Sequence, residues 1–155
     1  MTTFIDGSAT FAPVSAPLRD WLREHADLAA HRGTDTNGTE QVYVAGFPDS
    51  VSLASGPAFS LYTAGGTTGG TLLDRPFVRF NVHALTAPVA EAAAYALRSV
   101  LEHAAGAALG TQADPSDVRL VGAQTESPIW SPDLDLPGTS RFVVTSTLTV
   151  QAVGV

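Results

Sequence analysis

Residues 141–152 form a run in which apolar and polar side chains alternate almost without interruption. Phe142, Val144, Leu148 and Val150 fall on one side of an extended backbone, whereas the other side is rich in threonine. Because side chains of a β-strand point alternately to its two faces, this period of two predicts a strand with one buried face. Threonine is polar but strongly β-forming, so the opposite face suits contact with water or with a partner sheet.

Helical periodicity elsewhere in the chain predicts two helices, one from Ser15 to about Ala30 and one from Thr86 or Ala87 to about Ala108. Further strands are predicted at residues 41–45, 58–63, 77–84 and 118–125, with a short one at residues 9–11. A long helix between strands favours an α+β fold, with a mostly antiparallel sheet and two main helices packed on one of its faces. We expect a single domain, residues 1–155, with a flexible N-terminal arm at residues 1–14.

Composition excludes several classes of protein. The chain has 8 basic and 15 acidic residues and a formal net charge of −7, so the clustered cations that phosphate binding needs are not present. It has no cysteine, which excludes disulfides, thiol catalysis and cysteine-ligated zinc. No run approaches the roughly 20 apolar residues of a membrane span. No basic segment followed by an apolar core opens the chain, so we expect no signal peptide and no membrane partner.

Motifs for catalysis, cofactors or metals are not found. The four histidines have no metal-ligand spacing and no His-Glu-x-x-His occurs. The glycine-rich segment Gly65–Gly70 has no lysine and leads into a strand, so a hairpin loop, tight or long, is favoured over a phosphate cradle. Asp133 and Asp135 are typical turn-forming residues. We therefore predict no catalytic residue, no cofactor and no bound metal, and a protein that is not an enzyme.

Residues 127–133 form a proline-bounded loop that carries Trp130. A tryptophan in such a loop either folds back over the sheet as part of the core or anchors an interface with another protein. The sequence leaves both interpretations open. We select Arg79, Trp130, Asp133 and Arg141 as candidate assembly residues. Because an unpaired buried arginine is costly, Asp133 is the expected partner of Arg141.

The order of these segments resembles the tail terminator, or tail completion, proteins of long-tailed (siphovirus-type) bacteriophages. The resemblance covers about residues 17–150 and depends on the whole ordered set, since no single motif is specific. Phe142 stands where the family often has an aromatic hydroxyl, and His83 where many members have tryptophan. The matching segments are Leu18-Arg-Asp-Trp-Leu22, Gly46-Phe-Pro-Asp49, Leu73–Val82, Ala90–Arg98, Pro128–Asp133 and Ser140–Val144.

The resemblance implies a non-enzymatic structural protein of the virion, located at the head-proximal end of the tail and assembled in the host cytoplasm. Members of the family form a hexameric ring that caps the tail tube, stops its polymerisation and provides the head–tail joining surface. The implied partners are further copies of the chain, the major tail tube protein and a head-completion or connector protein, while DNA passes through the lumen without specific binding. A neighbouring connector or stopper protein is an alternative. A small ligand-binding or enzymatic α+β domain that uses the Gly65–Gly70 loop and Asp74 is another.

Overall fold

The computed structural model describes residues 4–5, 8–9, 13–68 and 73–151. Its α-helices are α1 (Ser15–Glu24) and α2 (Ala87–Glu102), and short 3-10 helices occupy Ala26–His31 and Leu53–Ser55. Its strands are β1 (Phe4–Ile5), β2 (Ser8–Ala9), β3 (Val42–Val44), β4 (Ala58–Thr68), β5 (Leu73–Ala84), β6 (Ala108–Gly110), β7 (Pro115–Thr125), β8 (Ile129–Trp130) and β9 (Ser140–Gln151).

Seven strands form one sheet in the order β3-β4-β5-β9-β7-β6, and β8 pairs with the first part of β9. The β3–β4 pair is parallel and every other pair in this sheet is antiparallel. Strands β1 and β2 pair with each other as a separate antiparallel ribbon. The predicted α+β class with a mostly antiparallel sheet is therefore confirmed.

The core lies between one face of the sheet and the two helices. In the central β5–β9 pair, Val82 lies opposite Phe142 and Phe80 lies opposite Val144, and all four side chains are buried. The predicted alternation along β9 is thus confirmed. The helices cover this face with small and branched side chains, which let helix and sheet approach closely. The buried helical residues are Leu18, Leu22, Ala90, Ala93, Ala94, Leu97, Val100 and Leu101.

Both predicted helices are shorter than expected. The first ends at Glu24, because His25 adopts an extended backbone and its side chain accepts a hydrogen bond from the Asp27 amide, which starts a separate 3-10 turn. The second ends at Glu102. Residues 103–107 form turns in which the Gly106 amide donates to the Leu120 carbonyl of β7, and the unpredicted strand β6 follows. Ala90 of this helix is buried, whereas the neighbouring Val89 is exposed.

The glycine-rich segment was expected to be a loop, and this is wrong for its first part. Strand β4 continues through Gly65 and Gly66 to Thr68, and Thr68 pairs with Asp74 of β5. The backbone pairing of this long hairpin does not need side chains, so glycine does not end it. Gly69 and Gly70 lie outside the described residues. In the predicted arm, Ser8–Ala9 is a strand, residues 10–12 lie outside the described part, and Val14 is buried in the core.

Gly33 marks the point where the segment after α1 packs against residues 52–57. Its amide donates to the Pro57 carbonyl, and an added Cβ would lie 2.5 Å from Ser55 Oγ and 2.8 Å from the Gly56 nitrogen. A third contact is with Gln41 Nε2 at 2.7 Å. Because the other two lie within residues 52–57, that segment would have to move. Gly122 in β7 offers a matched comparison, since nothing lies within 4 Å of an added Cβ there.

We expect Gly33→Ala to lower the free energy of unfolding by about 1–3 kcal/mol, the usual cost of overpacking. Gly122→Ala should raise it slightly or leave it unchanged to within about 0.5–1 kcal/mol, because alanine reduces the entropy of the unfolded chain. Urea denaturation followed by circular dichroism measures both. Equal stability of the two variants would contradict the close approach at Gly33.

Candidate assembly surface

Residues 131–133 cover part of the sheet face that points away from the helices. They contact His83 of β5 and Arg141 of β9 there. His83 of β5 lies directly opposite Arg141 of β9 on this face. Although His83 is not part of the helix-facing core, it is only 3% exposed. The ring of Phe47 packs edge-on against the His83 ring, with centroids 4.9 Å apart. Residues from three distant parts of the chain therefore enclose one histidine.

Asp133 joins the two facing strand residues. Its Oδ2 accepts a hydrogen bond from His83 Nε2 at 3.0 Å and lies 3.7 Å from Arg141 Nη1. Arg141 Nε donates to the Ser131 carbonyl at 2.8 Å, and Ser131 in turn donates its amide to the Arg141 carbonyl. The expected Arg141–Asp133 pairing is confirmed. We call His83, Ser131, Asp133 and Arg141 the Asp133 cluster.

The hydrogen bonds of this cluster determine which groups are charged. A carboxylate can only accept, so His83 Nε2 carries the proton, and His83 Nδ1 is buried without a hydrogen-bond partner among the described residues. Burial lowers the pKa of His83, and Asp133 opposes this shift only in part. The hydrogen bond from His83 lowers the pKa of Asp133. Near neutral pH the cluster thus contains a neutral imidazole, a carboxylate and a guanidinium.

The loop held by this cluster presents large apolar side chains to solvent. Leu134 is 91% exposed, Ile129 64%, Trp130 59% and Leu136 40%. We call these four residues the apolar patch. Trp130 therefore does not plug the core, so that interpretation is wrong for the isolated chain. Its role as an interface anchor stays a prediction, and the patch has the composition of an interaction site.

Arg79 does not belong to the cluster. It is exposed on the same face of β5, four residues before His83, and its Nε contacts Asn81 Oδ1 at 3.2 Å. Four residues of strand correspond to roughly 13 Å. Of the four candidate residues, Trp130, Asp133 and Arg141 lie together around β8 and the start of β9, and Arg79 lies apart.

The sequence indicated His83 only weakly. The alternation along residues 77–84 puts it on the same face as Arg79 and Asn81, and this alternation was the only indication of its position in the sheet. The alternation does not show that Asp133, fifty residues later in the chain, is hydrogen-bonded to His83. Ser131 was missed for the same reason, since its contribution is made mostly by backbone atoms.

A second polar cluster orders the segment beside β3. Asp35 accepts hydrogen bonds from Tyr43 Oη at 3.0 Å, from Ser50 Oγ at 3.1 Å, and from the amides of Asn37 and Thr39. Burial and the bond to Asp35 raise the pKa of Tyr43 to about 12. The Tyr43 ring is thereby fixed on the outer face, where it forms a wall next to residues 44–48.

Among the described residues, no three histidine, aspartate or glutamate side chains are grouped closely enough to hold a metal ion. In the same part of the chain, no helix has the length and apolar character needed to cross a membrane.

The buried histidine makes stability depend on pH. Because the folded-state pKa of His83 is below its unfolded value of about 6.5, the unfolded chain binds the proton first, and the free energy of unfolding should fall as pH drops from 7 to 5. The lowered pKa of Asp133 acts only near and below pH 4, so the two effects are separable.

We expect His83→Gln to flatten the pH dependence between pH 5 and 7, since glutamine can still donate to Asp133 but does not titrate. His103→Gln is the matched control, because His103 is exposed and should leave the slope close to that of the parent. Urea titrations at several pH values provide the measurement. A His83→Gln slope identical to that of the parent chain would refute the assignment.

No protein-family model matches the chain. No curated protein matches it either. Among solved structures, the chain is similar to a chain from the virion of a native gene transfer agent particle, with a TM-score of 0.54 and 24% sequence identity. The similarity covers 90% of this chain and 95% of that chain. At this level of identity, the likeness shows that the two chains share a fold.

Proposed function

We propose that this protein is a structural component of a virion and that its specific role is that of a tail terminator. Support for the virion role comes from the fold shared with a gene transfer agent virion chain, which extends over nearly the full length of both chains. Support for the terminator role comes from the ordered residue set between residues 17 and 150. In this role the chain acts by assembly, without catalysis or a cofactor.

The main structural observation in favour of the proposal is that the apolar patch lies on a loop that the Asp133 cluster holds in place. Exposed apolar side chains gain free energy when a partner covers them, at roughly 25 cal/mol per Å² removed from water. Binding through a loop normally loses part of that gain, because the loop must be ordered. Here the Asp133 cluster already orders residues 131–133 in the free chain, so less of the gain is lost.

In the proposed assembly, copies of the chain form a ring, which the family resemblance suggests is a hexamer. Such a ring needs two different surfaces on each subunit that fit head to tail and close. The ring would cap the tail tube, stop its growth and meet a connector protein at the head-proximal end of the tail. A net charge of −7 would keep DNA from adhering to the lumen.

Sedimentation velocity and negative-stain microscopy of the purified chain test ring formation. Addition of the chain to growing tail tube protein tests capping, with tube length as the measured quantity. We expect closed rings and shorter tubes. A chain that stays monomeric and leaves tube length unchanged would contradict the proposal. Rings that bind a connector or portal protein but ignore tube ends would instead favour the connector or stopper alternative.

We expect Trp130→Ala to fold normally but to weaken assembly at least about tenfold, since truncating an aromatic interface anchor costs roughly 2 kcal/mol or more. Because Trp130 is mostly exposed, the melting temperature should change by only a few degrees. Val121→Ala is the control, since Val121 is an exposed apolar residue of β7 outside the patch. A Trp130→Ala chain that assembles like the control would exclude the patch from the interface.

A further inference from the structure

A second surface lies beside β3, at the edge of the sheet. Beside β3 is a pocket of about 380 Å³, lined by Arg19 and Arg23 of α1, by Tyr43 and Val44 of β3, and by Phe47 in the segment that follows β3. We call it the Arg19–Arg23 pocket. Val44 is 37% exposed there, so the pocket combines two cations with an apolar wall.

Arg23 is held in this pocket without a carboxylate. Its Nε donates to the Val42 carbonyl at 2.8 Å, and its guanidinium lies 5.5 Å from the centre of the Tyr43 ring. None of the ion pairs between described residues includes Arg23. Burial lowers its pKa, and the charge of Arg19, four residues earlier on the helix, lowers it further. Like charges at this spacing are unfavourable.

Other partly buried arginines in the chain have the partner that Arg23 lacks. Arg32 Nε lies 2.8 Å from Glu40 Oε2, and Arg141 lies beside Asp133. Arg19 already has a counter-charge, since its Nε lies 2.9 Å from Asp20 Oδ1, so a carboxylate that enters the Arg19–Arg23 pocket would pair with Arg23. The pocket therefore has the chemistry of a site for a carboxylate attached to an apolar group.

The loop of the Asp133 cluster offers such a group. Leu134, 91% exposed, is followed by Asp135, whose side chain is also exposed. Because each copy carries a net charge of −7, two copies repel unless an acidic surface of one meets a basic surface of the other. A neighbouring copy thus supplies both the apolar and the acidic part that the pocket accepts.

The positions of the two surfaces suit a head-to-tail contact. The pocket lies at the edge strand β3, whereas residues 129–136 begin at β8 on the other side of β9, and Phe47 of the pocket wall packs on His83 of the Asp133 cluster between them. Because the two surfaces are different patches of the subunit, their contact is head-to-tail, and such contacts generate rings when the rotation closes.

We propose that the Leu134–Asp135 tip of one copy enters the Arg19–Arg23 pocket of the next, with the Asp135 carboxylate paired with Arg23. This inference rests on the proposed function, since it supplies the contact through which the ring forms. It assigns the Leu134–Asp135 tip and the Arg19–Arg23 pocket to the two partners of one contact between neighbouring copies.

Cysteine cross-linking tests the contact directly, because the chain has no cysteine of its own. We expect a mixture of Val44→Cys and Leu134→Cys proteins to form covalent dimers under mild oxidation, and the double variant to form closed or ladder-like products. Val121→Cys mixed with Leu134→Cys is the matched control and should give only background. Each single variant alone should also give only background, because a head-to-tail contact does not bring identical residues together.

Charge reversal tests the ion pair. Arg23→Glu or Asp135→Arg should reduce the Val44–Leu134 cross-link at least about tenfold, and the combination of both should restore it. Arg75→Glu and Glu91→Arg are controls with the same changes in charge at exposed positions. Since Arg23 also contacts β3, Arg19→Glu provides a second pocket variant, and the melting temperature of each variant verifies folding.

The outcomes separate this contact from the proposed function. Rings that form and cap tubes without the Val44–Leu134 cross-link would overturn the contact and leave the proposed function intact. A specific cross-link that the charge reversal abolishes and restores, in a chain that leaves tube length unchanged, would support the contact and contradict the tube-capping role. A parent chain that does not assemble, together with Val44→Cys and Leu134→Cys proteins that give only background cross-linking, would contradict both.

Discussion

The antiparallel pairing of β5 with β9 is the interaction on which the rest of the structure depends. Its register directs Phe80, Val82 and Val144 inwards to the helices, and by the same alternation directs His83 and Arg141 outwards. A slip of one residue would exchange the two faces of the slipped strand, losing both core and cluster. Core packing and the candidate assembly surface are thus two consequences of one register.

Asp133 links this register to the loop that carries the apolar patch. Its carboxylate is bonded to His83 and lies near Arg141, while Ser131 is bonded to the backbone and side chain of Arg141. These contacts hold the loop that carries Leu134 and the neighbouring apolar residues exposed. The described residues therefore combine a buried core with apolar side chains that stay exposed, and such exposed patches are typical of interaction sites.

Local periodicity predicted the structure correctly where an element's two faces have distinct surroundings along its whole length. The period of two in residues 141–152 predicted the buried face of β9, and the cost of burying an arginine predicted the partner of Arg141. It failed where a distant segment changes the outcome. The helix expected to reach Ala108 ends at Glu102, because the backbone from Gly106 onwards pairs with β7. The glycines at 65 and 66 continue β4, because β5 offers backbone groups to pair with.

The sequence by itself determined the class of the fold, the buried face of its last strand and the absence of recognisable catalytic motifs, since these follow from side-chain chemistry and short-range spacing. Only the tertiary structure decided that Trp130 is exposed, that His83 completes the cluster of Asp133, and that Arg19 and Arg23 share a pocket with residues 43–48. The physical reason is that exposure and pairing depend on which distant segments dock together, and the free energy of that docking is distributed over the whole core.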